Sequence, residues 1–385
     1  MRNVDARRAA IAGALVMALV GAAVPAVAGV PAVGPASGGD ERFTRGHLFV
    51  TIGEAEPCEF GGREAIVEID PATGEASVFA DSSDGLCRVS GLAVAPDRRR
   101  LLEANLPKST ADDIRVFYPD GRSELYLSLG PVSALGIAYD PFGDLYVRSY
   151  DCIVRYPMSG GAPEVFADAE DFISQGFGRM VFAPNGDLYC TTRRESANDW
   201  IVRIPPDGVG SIIVSTANEL RGLAVDRSER VFVSTRFGEI FRYDPPTYSG
   251  PIELAEVYGV PIALSEDEHT LFCLGSPRGD GVLAFAVDTD DGTVTSILGE
   301  IPGWDAYLTG SIIVVRPVFP GDLDFDGAVD LYDFALFDRC LTIGEGEPIP
   351  VQCQSADLNG DRSRDFADFA VFQRRFGIVF HDPRE

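Results

Sequence analysis

The chain has 385 residues, of which 59 are acidic and 32 are basic, so its formal net charge at pH 7 is −27. This negative charge argues against nucleic acid or an anionic membrane as a partner, and suits solubility and cation binding. Hydrophobic residues make up 45% of the chain, which is enough for a large core.

Residues 1–28 have the pattern of a secretory signal peptide. Basic residues precede an apolar run that begins at Ala9, and the small residues Ala26 and Ala28 frame a cleavage site. An uncleaved anchor helix is the alternative, because the run approaches the roughly 20 residues that a membrane span needs. The many Ala and Gly residues and Pro25 favour cleavage. We therefore expect a protein that is secreted, or held at the cell surface or in the periplasm, with residues 29–45 as a linker and no membrane segment left.

Residues 46–318 repeat a four-part unit about every 40–45 residues. Its first part is a short apolar run, found at Gly91–Asp97, Gly136–Pro141, Arg179–Pro184, Gly222–Asp226 and Pro261–Ser265. A second apolar run follows each of these, joined in two units by a Gly-Asp turn that is typical of a hairpin. A third run ends in Pro or Asp and occurs six times, at Ile66–Pro71, Ile114–Pro119, Ile153–Pro157, Ile201–Pro205, Ile240–Pro245 and Ala284–Asp288. A fourth, less regular run completes each unit.

Six units of four strands predict a mainly β domain, a six-bladed β-propeller, because radial repetition leaves only short sheet edges exposed. The first unit lacks an innermost strand. Gly310–Pro317 has the pattern of that missing strand, so we expect the C-terminal end of the body to close the ring onto blade one.

In its blade pattern, the body resembles the six-bladed propellers of the gluconolactonase-like and NHL-repeat group. Gluconolactonase-like enzymes hold a divalent metal with Glu, Asn and Asp at the inner strands. The matching positions here are Gly91, Gly136, Arg179, Gly222, Pro261 and Gly310, none of which is a metal ligand. The resemblance therefore implies the fold and weighs against lactonase chemistry. A histidine-based lyase is also disfavoured, since the chain has only three histidines.

Six arginines are predicted to gather at one face of the propeller. Two stand where innermost strands begin and four where second strands end: Arg179, Arg221, Arg148, Arg193, Arg236 and Arg278. They predict a pocket for an anionic glycan or small molecule, because guanidinium groups pair bidentately with carboxylate or sulfate. The alternative is that they are ordinary surface cations, because Lys108 is the only lysine.

The C-terminal residues 319–385 contain two twelve-residue loops with the spacing of calcium ligands. In the first loop, oxygen side chains stand at positions 1, 3, 5, 9 and 12, and position 7 offers a backbone carbonyl: Asp322, Asp324, Asp326, Asp330, Asp333 and Ala328. In the second loop the corresponding residues are Asp357, Asn359, Asp361, Ser363, Asp365 and Asp368. A Phe-Ala-x-Phe run follows each loop, so a helix is duplicated along with the loop.

This tandem resembles a type I dockerin over about residues 321–377. The resemblance implies a small α-helical, EF-hand-like domain that binds two calcium ions and attaches a secreted protein to a cohesin, often in polysaccharide breakdown. Arg362 replaces the turn glycine of the second loop and Arg364 stands at its usually aliphatic position 8, so we expect the second site to be weaker. Packing against its own propeller stays an alternative, because loop positions 10 and 11 are apolar.

Seven cysteines in an exported chain permit disulfides. We expect Cys58 to pair with Cys87 and Cys340 with Cys353. Three cysteines are left over, and Cys190 and Cys273 in strand-like runs are expected to be buried free thiols.

Two functions remain. The first is a secreted calcium-binding protein in which a propeller binding domain is attached to a partner or scaffold through the dockerin-like module, as in polysaccharide breakdown. The alternative is a secreted hydrolase or lyase with its active site on the propeller face, for which Glu54, Glu56 and Asp199 are candidate acids. The absence of a recognisable catalytic arrangement favours the first.

Overall fold

The computed structural model describes most of the propeller and the two C-terminal helices. The described residues are 42–44, 46–53, 63–95, 98–105, 113–129, 133–140, 143–157, 162–172, 176–183, 186–193, 199–226, 228–257, 259–265, 268–275, 283–298, 307–315, 321, 329, 331–341 and 366–376. The predicted signal peptide and most of the linker lie outside these ranges and stay predictions. None of the helices within them is long and apolar enough to cross a membrane.

The first half of the body forms strands β1 to β11. Blade one begins with β1 (Leu48–Gly53), β2 (Glu64–Ile69) and β3 (Ala76–Asp81). Blade two contains β4 (Gly91–Val94), β5 (Leu101–Asn105), β6 (Asp113–Phe117) and β7 (Ser123–Ser128). Blade three contains β8 (Gly136–Tyr139), β9 (Leu145–Arg148), β10 (Cys152–Tyr156) and β11 (Glu164–Asp168). Short 3-10 helices at Ser82–Asp84 and Ala169–Phe172 follow the last strands of blades one and three.

The second half of the body forms strands β12 to β24. Blade four contains β12 (Phe177–Phe182), β13 (Leu188–Arg193), β14 (Asp199–Ile204) and β15 (Ser211–Thr216). Blade five contains β16 (Leu220–Val225), β17 (Val231–Thr235), β18 (Glu239–Tyr243) and β19 (Ile252–Glu256). Blade six contains β20 (Gly259–Leu264), β21 (Thr270–Gly275), β22 (Leu283–Asp288) and β23 (Val294–Leu298). The last strand is β24 (Tyr307–Val314).

The strands form six antiparallel sheets of four, which confirms the predicted mainly β, six-bladed propeller. Blade one has the order β24-β1-β2-β3, so the C-terminal end of the body supplies its innermost strand, as expected. In that pairing Leu48 stands opposite Val314 and Val50 opposite Ile312. The innermost strands β4, β8, β12, β16, β20 and β24 contact one another in a ring.

Burial differs between the inner and the outer strands of a blade. Every residue of β1 and β17 is buried, because each inner strand lies between two neighbouring blades. The outermost strand β15 has the mixed burial of a sheet edge. Between blades three and four, the rings of Tyr146 and Phe182 pack with their centroids 4.6 Å apart.

A recurring ion pair fastens the hairpin turns within the blades. In blade three, Arg155 donates from Nε to a carboxylate oxygen of Asp144 at 2.7 Å, and in blade four Arg203 donates in the same way to Asp187 at 2.5 Å. Both aspartates belong to the Gly-Asp turns recognised in the sequence. Both are nearly buried, so the paired arginine offsets the cost of removing a carboxylate from water.

The described part of the C-terminal region contains two helices, α1 (Leu331–Leu341) and α2 (Phe366–Arg375). The Phe337 ring of α1 stacks on the Phe372 ring of α2, with centroids 5.2 Å apart and planes at 22°. Both side chains are essentially fully buried. Together with Val329 they belong to one apolar cluster that also contains residues of blades two and three. The helix pair therefore packs against this side of the propeller.

The three cysteines that were not assigned to a predicted disulfide are free thiols in the structure. Cys190 and Cys273 are buried, as expected, and Cys152 is partly buried. Burial raises the pKa of the Cys152 thiol to about 11, so it stays protonated at neutral pH. Cys58 and Cys353 lie outside the described residues, so the pairs Cys58–Cys87 and Cys340–Cys353 stay predictions.

Candidate functional site

The innermost strands of all six blades enclose a cavity of about 200 Å³ on the propeller axis. Backbone and aliphatic side chains form most of its wall. The strand-start positions compared above with lactonase ligands line it: Gly91, Gly136, Arg179, Gly222 and Pro261. Among the described residues on the wall, the charged ones are Arg148 and Arg179.

Arg148, the last residue of β9, folds inward over the start of β8. A side chain at Gly136 would press against it, since a Cβ there would lie 3.0 Å from Nε of Arg148. The guanidinium donates from Nη1 to the carbonyl oxygen of Phe177 in blade four at 2.7 Å, and from Nη2 to the carbonyl of Leu135. Burial lowers the pKa of Arg148 to about 10, and repulsion from Arg179 contributes. The side chain is still charged at neutral pH.

Arg179 lies on the cavity wall, beside a β-bulge in β12. The register with β13 shifts between Phe177 and Met180, so an extra residue is accommodated there. The backbone N–H of Arg179 donates to Oγ1 of Thr191 at 2.8 Å, and its side-chain Nε donates to the carbonyl of Arg221 in blade five at 2.9 Å. Burial lowers the pKa of Arg179 to about 10, and repulsion from Arg221 is the second cause.

Two of the other four predicted arginines, Arg221 and Arg236, do not line the cavity. Arg221 and Arg236 both pair with Glu219, at 3.0 Å and 3.4 Å, and Arg236 is 60% exposed. Arg278 and the side chain of Arg193 lie outside the described residues. Of the four predicted arginines whose side chains the structure describes, two therefore line the cavity and two pair with Glu219.

The candidate catalytic acids do not form a described group. Asp199 accepts a hydrogen bond from the backbone N–H of Leu220 at 2.8 Å, which joins blade four to blade five. Glu54 and Glu56 lie outside the described residues.

One buried acid, Glu103 on β5, was not anticipated. It is 0% exposed, and neither of its carboxylate oxygens has a hydrogen-bond partner among the residues that the structure describes. Burial raises its pKa well above the ordinary value, against the attraction of Arg115. The signal was present in the repeat, because the other blades described at this position have a buried Val or Cys: Val147, Cys190, Val233 and Cys273.

In the calcium module, the structure describes the last ligand position of each loop. Asp333 and Asp368 stand in the first turns of α1 and α2 and are fully buried. A negative charge is favourable at a helix N-terminus, and burial of a carboxylate requires compensation of the kind that a bound cation supplies. The remaining predicted ligands lie outside the described residues: Asp322, Asp324, Asp326, Ala328, Asp330, Asp357, Asn359, Asp361, Ser363 and Asp365.

Residues 320–377 match the family model of the dockerin type I domain. The recognition of a calcium-binding dockerin module is thereby confirmed, while the number of ions stays a prediction. The search of curated proteins found no match to the chain.

Several solved propeller structures are similar to the body. A gluconolactonase from Xanthomonas campestris has 19% sequence identity and a TM-score of 0.45, over 56% of this chain and 76% of that one. The calcium-binding protein regucalcin from Agrobacterium tumefaciens has 14% identity and a TM-score of 0.45, over 56% and 75%. TolB from Acinetobacter baumannii has 13% identity and a TM-score of 0.47, over 66% and 67%.

The dockerin domain has a buried side and an exposed side. Phe337 and Phe372 lie within the cluster shared with the propeller. Leu331, at position 10 of the first loop, is 70% exposed, and Phe334 and Phe376 are 36% and 47% exposed. The contact with the propeller thus leaves an apolar surface of the dockerin domain open to solvent.

Proposed function

We propose that this is a secreted protein whose dockerin domain attaches the propeller to a cohesin-type partner in a calcium-dependent way. The match of residues 320–377 carries the proposal. The predicted signal peptide supports export, and the two features together are typical of proteins in extracellular assemblies, including those that degrade polysaccharide.

Calcium acts on the fold of the attachment domain. The hard oxygen ligands of the two loops would hold the ion, with the Asp322–Asp333 loop as the stronger site because it keeps the turn glycine Gly327. Asp333 and Asp368 connect each loop to the first turn of its helix. Ion binding is therefore expected to order α1 and α2, as in other small metal-dependent domains.

The exposed side of the dockerin domain is the proposed contact surface. Leu331 and Phe334 are apolar, lie on α1 and reach solvent. An exposed apolar patch on a soluble protein is typical of an interaction surface. Because Phe337 and Phe372 face the propeller cluster, the propeller contact and partner binding can occur together.

Calorimetric titration of the full mature chain with calcium tests the proposal. We expect Asp322→Ala to lose more affinity than Asp357→Ala, because the second loop carries Arg362 and Arg364. Asp338→Ala, an exposed acid on α1 outside both loops, is the matched control and is expected to bind like the parent.

Capture by an immobilised cohesin module, with calcium and with a chelator, completes the test. Binding that needs calcium and is lost in Asp322→Ala supports the proposal. Equal calcium affinity in the two loop variants would contradict the order of the sites. Failure to bind any member of a cohesin panel, by a chain whose helices form with calcium, would refute attachment.

A further inference from the structure

The cavity on the propeller axis combines an apolar wall with two positive charges. Among the described residues, the charged ones that line it are Arg148 and Arg179. Repulsion from Arg179 lowers the pKa of Arg148, and repulsion from Arg221 lowers the pKa of Arg179. Like charges near apolar surface are unfavourable because the low local dielectric strengthens their repulsion. A chain with a net charge of −27 nevertheless places them together at its centre.

Carboxylates do not neutralise this pair within the described residues. The side-chain hydrogen bonds of Arg148 and Arg179 go to backbone carbonyl oxygens of Phe177, Leu135 and Arg221. Glu219, the nearby acid, instead pairs with Arg221 and Arg236. Within the described part of the chain, the positive charge on the cavity wall is therefore held in place without a carboxylate partner.

The two arginines offer different donors. Both terminal nitrogens of Arg148 are used: Nη1 donates to Phe177 of blade four, and Nη2 donates to Leu135 at the start of its own blade. Arg179 is anchored through Nε alone, and its terminal nitrogens make no hydrogen bond to another described residue. These terminal N–H groups form the fork that matches the two oxygens of a carboxylate or two oxygens of a sulfate.

We propose that the axial cavity binds a small oxyanion, a carboxylate or sulfate group on a compact molecule, with Arg179 as the direct donor and Arg148 as a fixed positive charge. The cavity of about 200 Å³ is smaller than the roughly 300–1,000 Å³ of sites for drug-sized ligands, so it suits a monomeric acid or a chain end. Its apolar wall would contact the body of the ligand, and the arginines its charged group.

A structural role for these arginines makes a different prediction. Their bonds to carbonyls in the next blade stabilise the ring whether or not a ligand is present. A stapling role alone would leave the cavity with no affinity for anions. Binding by the parent protein therefore separates the two roles before any residue is changed.

Isothermal calorimetry of the full mature chain, at low ionic strength and with calcium present, provides the test. The probes are sodium glucuronate, sodium sulfate and, as the neutral control, glucose. We expect glucuronate to bind, sulfate to compete with it and glucose to give no signal. A terminal glucuronate on a short oligosaccharide tests whether a chain end enters as well as a free acid.

Arg179→Gln removes the proposed donor and Arg179→Lys keeps the charge without the fork. We expect the glutamine variant to weaken glucuronate binding roughly 10- to 100-fold, as for loss of charge-assisted hydrogen bonds, and the lysine variant to lie between it and the parent. Arg236→Gln, which changes an exposed arginine that pairs with Glu219 and does not line the cavity, is the matched control and should change affinity less than about twofold.

The outcomes are decisive in each direction. Absence of binding by the parent chain to glucuronate and sulfate overturns the proposal, even if the Arg179 variants do not fold. Equal weakening by Arg236→Gln would show that surface charge attracts the anion and would also overturn it. Because the cavity lies in the propeller, glucuronate binding should persist in Asp322→Ala. The anion-binding result can therefore be distinguished from failure of the dockerin proposal.

Discussion

Replacement of Phe337 by alanine should prevent the dockerin helices from forming at calcium concentrations that are sufficient for the parent protein. Phe337 is 0% exposed and stacks on Phe372 at 5.2 Å and on Phe369 at 6.2 Å between centroids. The substitution removes a ring from the small core between α1 and α2. It also removes that ring from the cluster shared with the propeller.

The expected loss follows from burial. A fully buried Phe→Ala change costs about 3–5 kcal/mol of unfolding free energy. Calcium stabilises the folded domain by mass action, about 1.4 kcal/mol for each tenfold rise in concentration per coupled ion. The calcium midpoint for helix formation should therefore rise roughly 10²- to 10⁴-fold if one ion is coupled, and roughly 10- to 100-fold if two are coupled.

Circular dichroism at a helical wavelength, followed during calcium titration of the full chain, measures this midpoint. Phe334→Ala is the matched control, because it is the same change on the same helix at a side chain that is 36% exposed. Its cost should be about 1–2 kcal/mol, so its midpoint should move far less.

Similar midpoints for the two variants would refute the reasoning. That result would mean that the stacked pair of Phe337 and Phe372 does not support the calcium-bound fold. A helical signal that is already complete in chelator would refute the coupling of calcium to folding.

Two further substitutions test buried features of the propeller. Burial raises the pKa of Glu103, so the folded state binds this proton more tightly than the unfolded state does. The resulting stability is fully present below the pKa of the unfolded state and is lost as pH rises through the pKa of the folded state. Glu103→Gln should raise stability by about 1–3 kcal/mol at pH 8, with the gain shrinking toward pH 4 in urea unfolding; a pH-independent difference would contradict this. Gly292 in blade six has φ of 77°, and a Cβ there would lie 2.0 Å from the carbonyl oxygen of Leu254 in blade five. Gly292→Ala should cost about 2–4 kcal/mol in thermal unfolding, against about 1 kcal/mol for Gly121→Ala, where φ is 83° and the space is open; equal costs would show that the blades do not meet closely at Gly292.

The propeller could be predicted almost completely because its signals are local and repeated. The same pattern of apolar runs and turns recurs from blade to blade. Two Gly-Asp turns also contain the aspartates that pair with Arg155 and Arg203. Closure by β24 followed from a blade with one strand missing at its start and a strand left over at the end. The calcium loops could likewise be predicted from the sequence, because the spacing of the ligands within twelve residues is a property of the loop itself.

The candidate anion site could be predicted only in part. Arginines at strand ends were expected to share one face, but their sequence positions do not show which of them line the cavity. That difference accompanies the bulge beside Arg179, the missing side chain at Gly136 and the pairing of Glu219 with Arg221 and Arg236. These features join different strands and blades.

The sequence by itself therefore determined the six-bladed architecture and the dockerin module, because periodicity and loop spacing are local properties of the chain. The calcium ligands of the module stay a prediction from that spacing. Only the tertiary structure decided which guanidinium groups line the cavity, that Glu103 is buried, and which side of the dockerin helices packs on blades two and three. Burial and local charge arise from residues that are distant in sequence, and a side chain acquires them only when the blades and helices have packed.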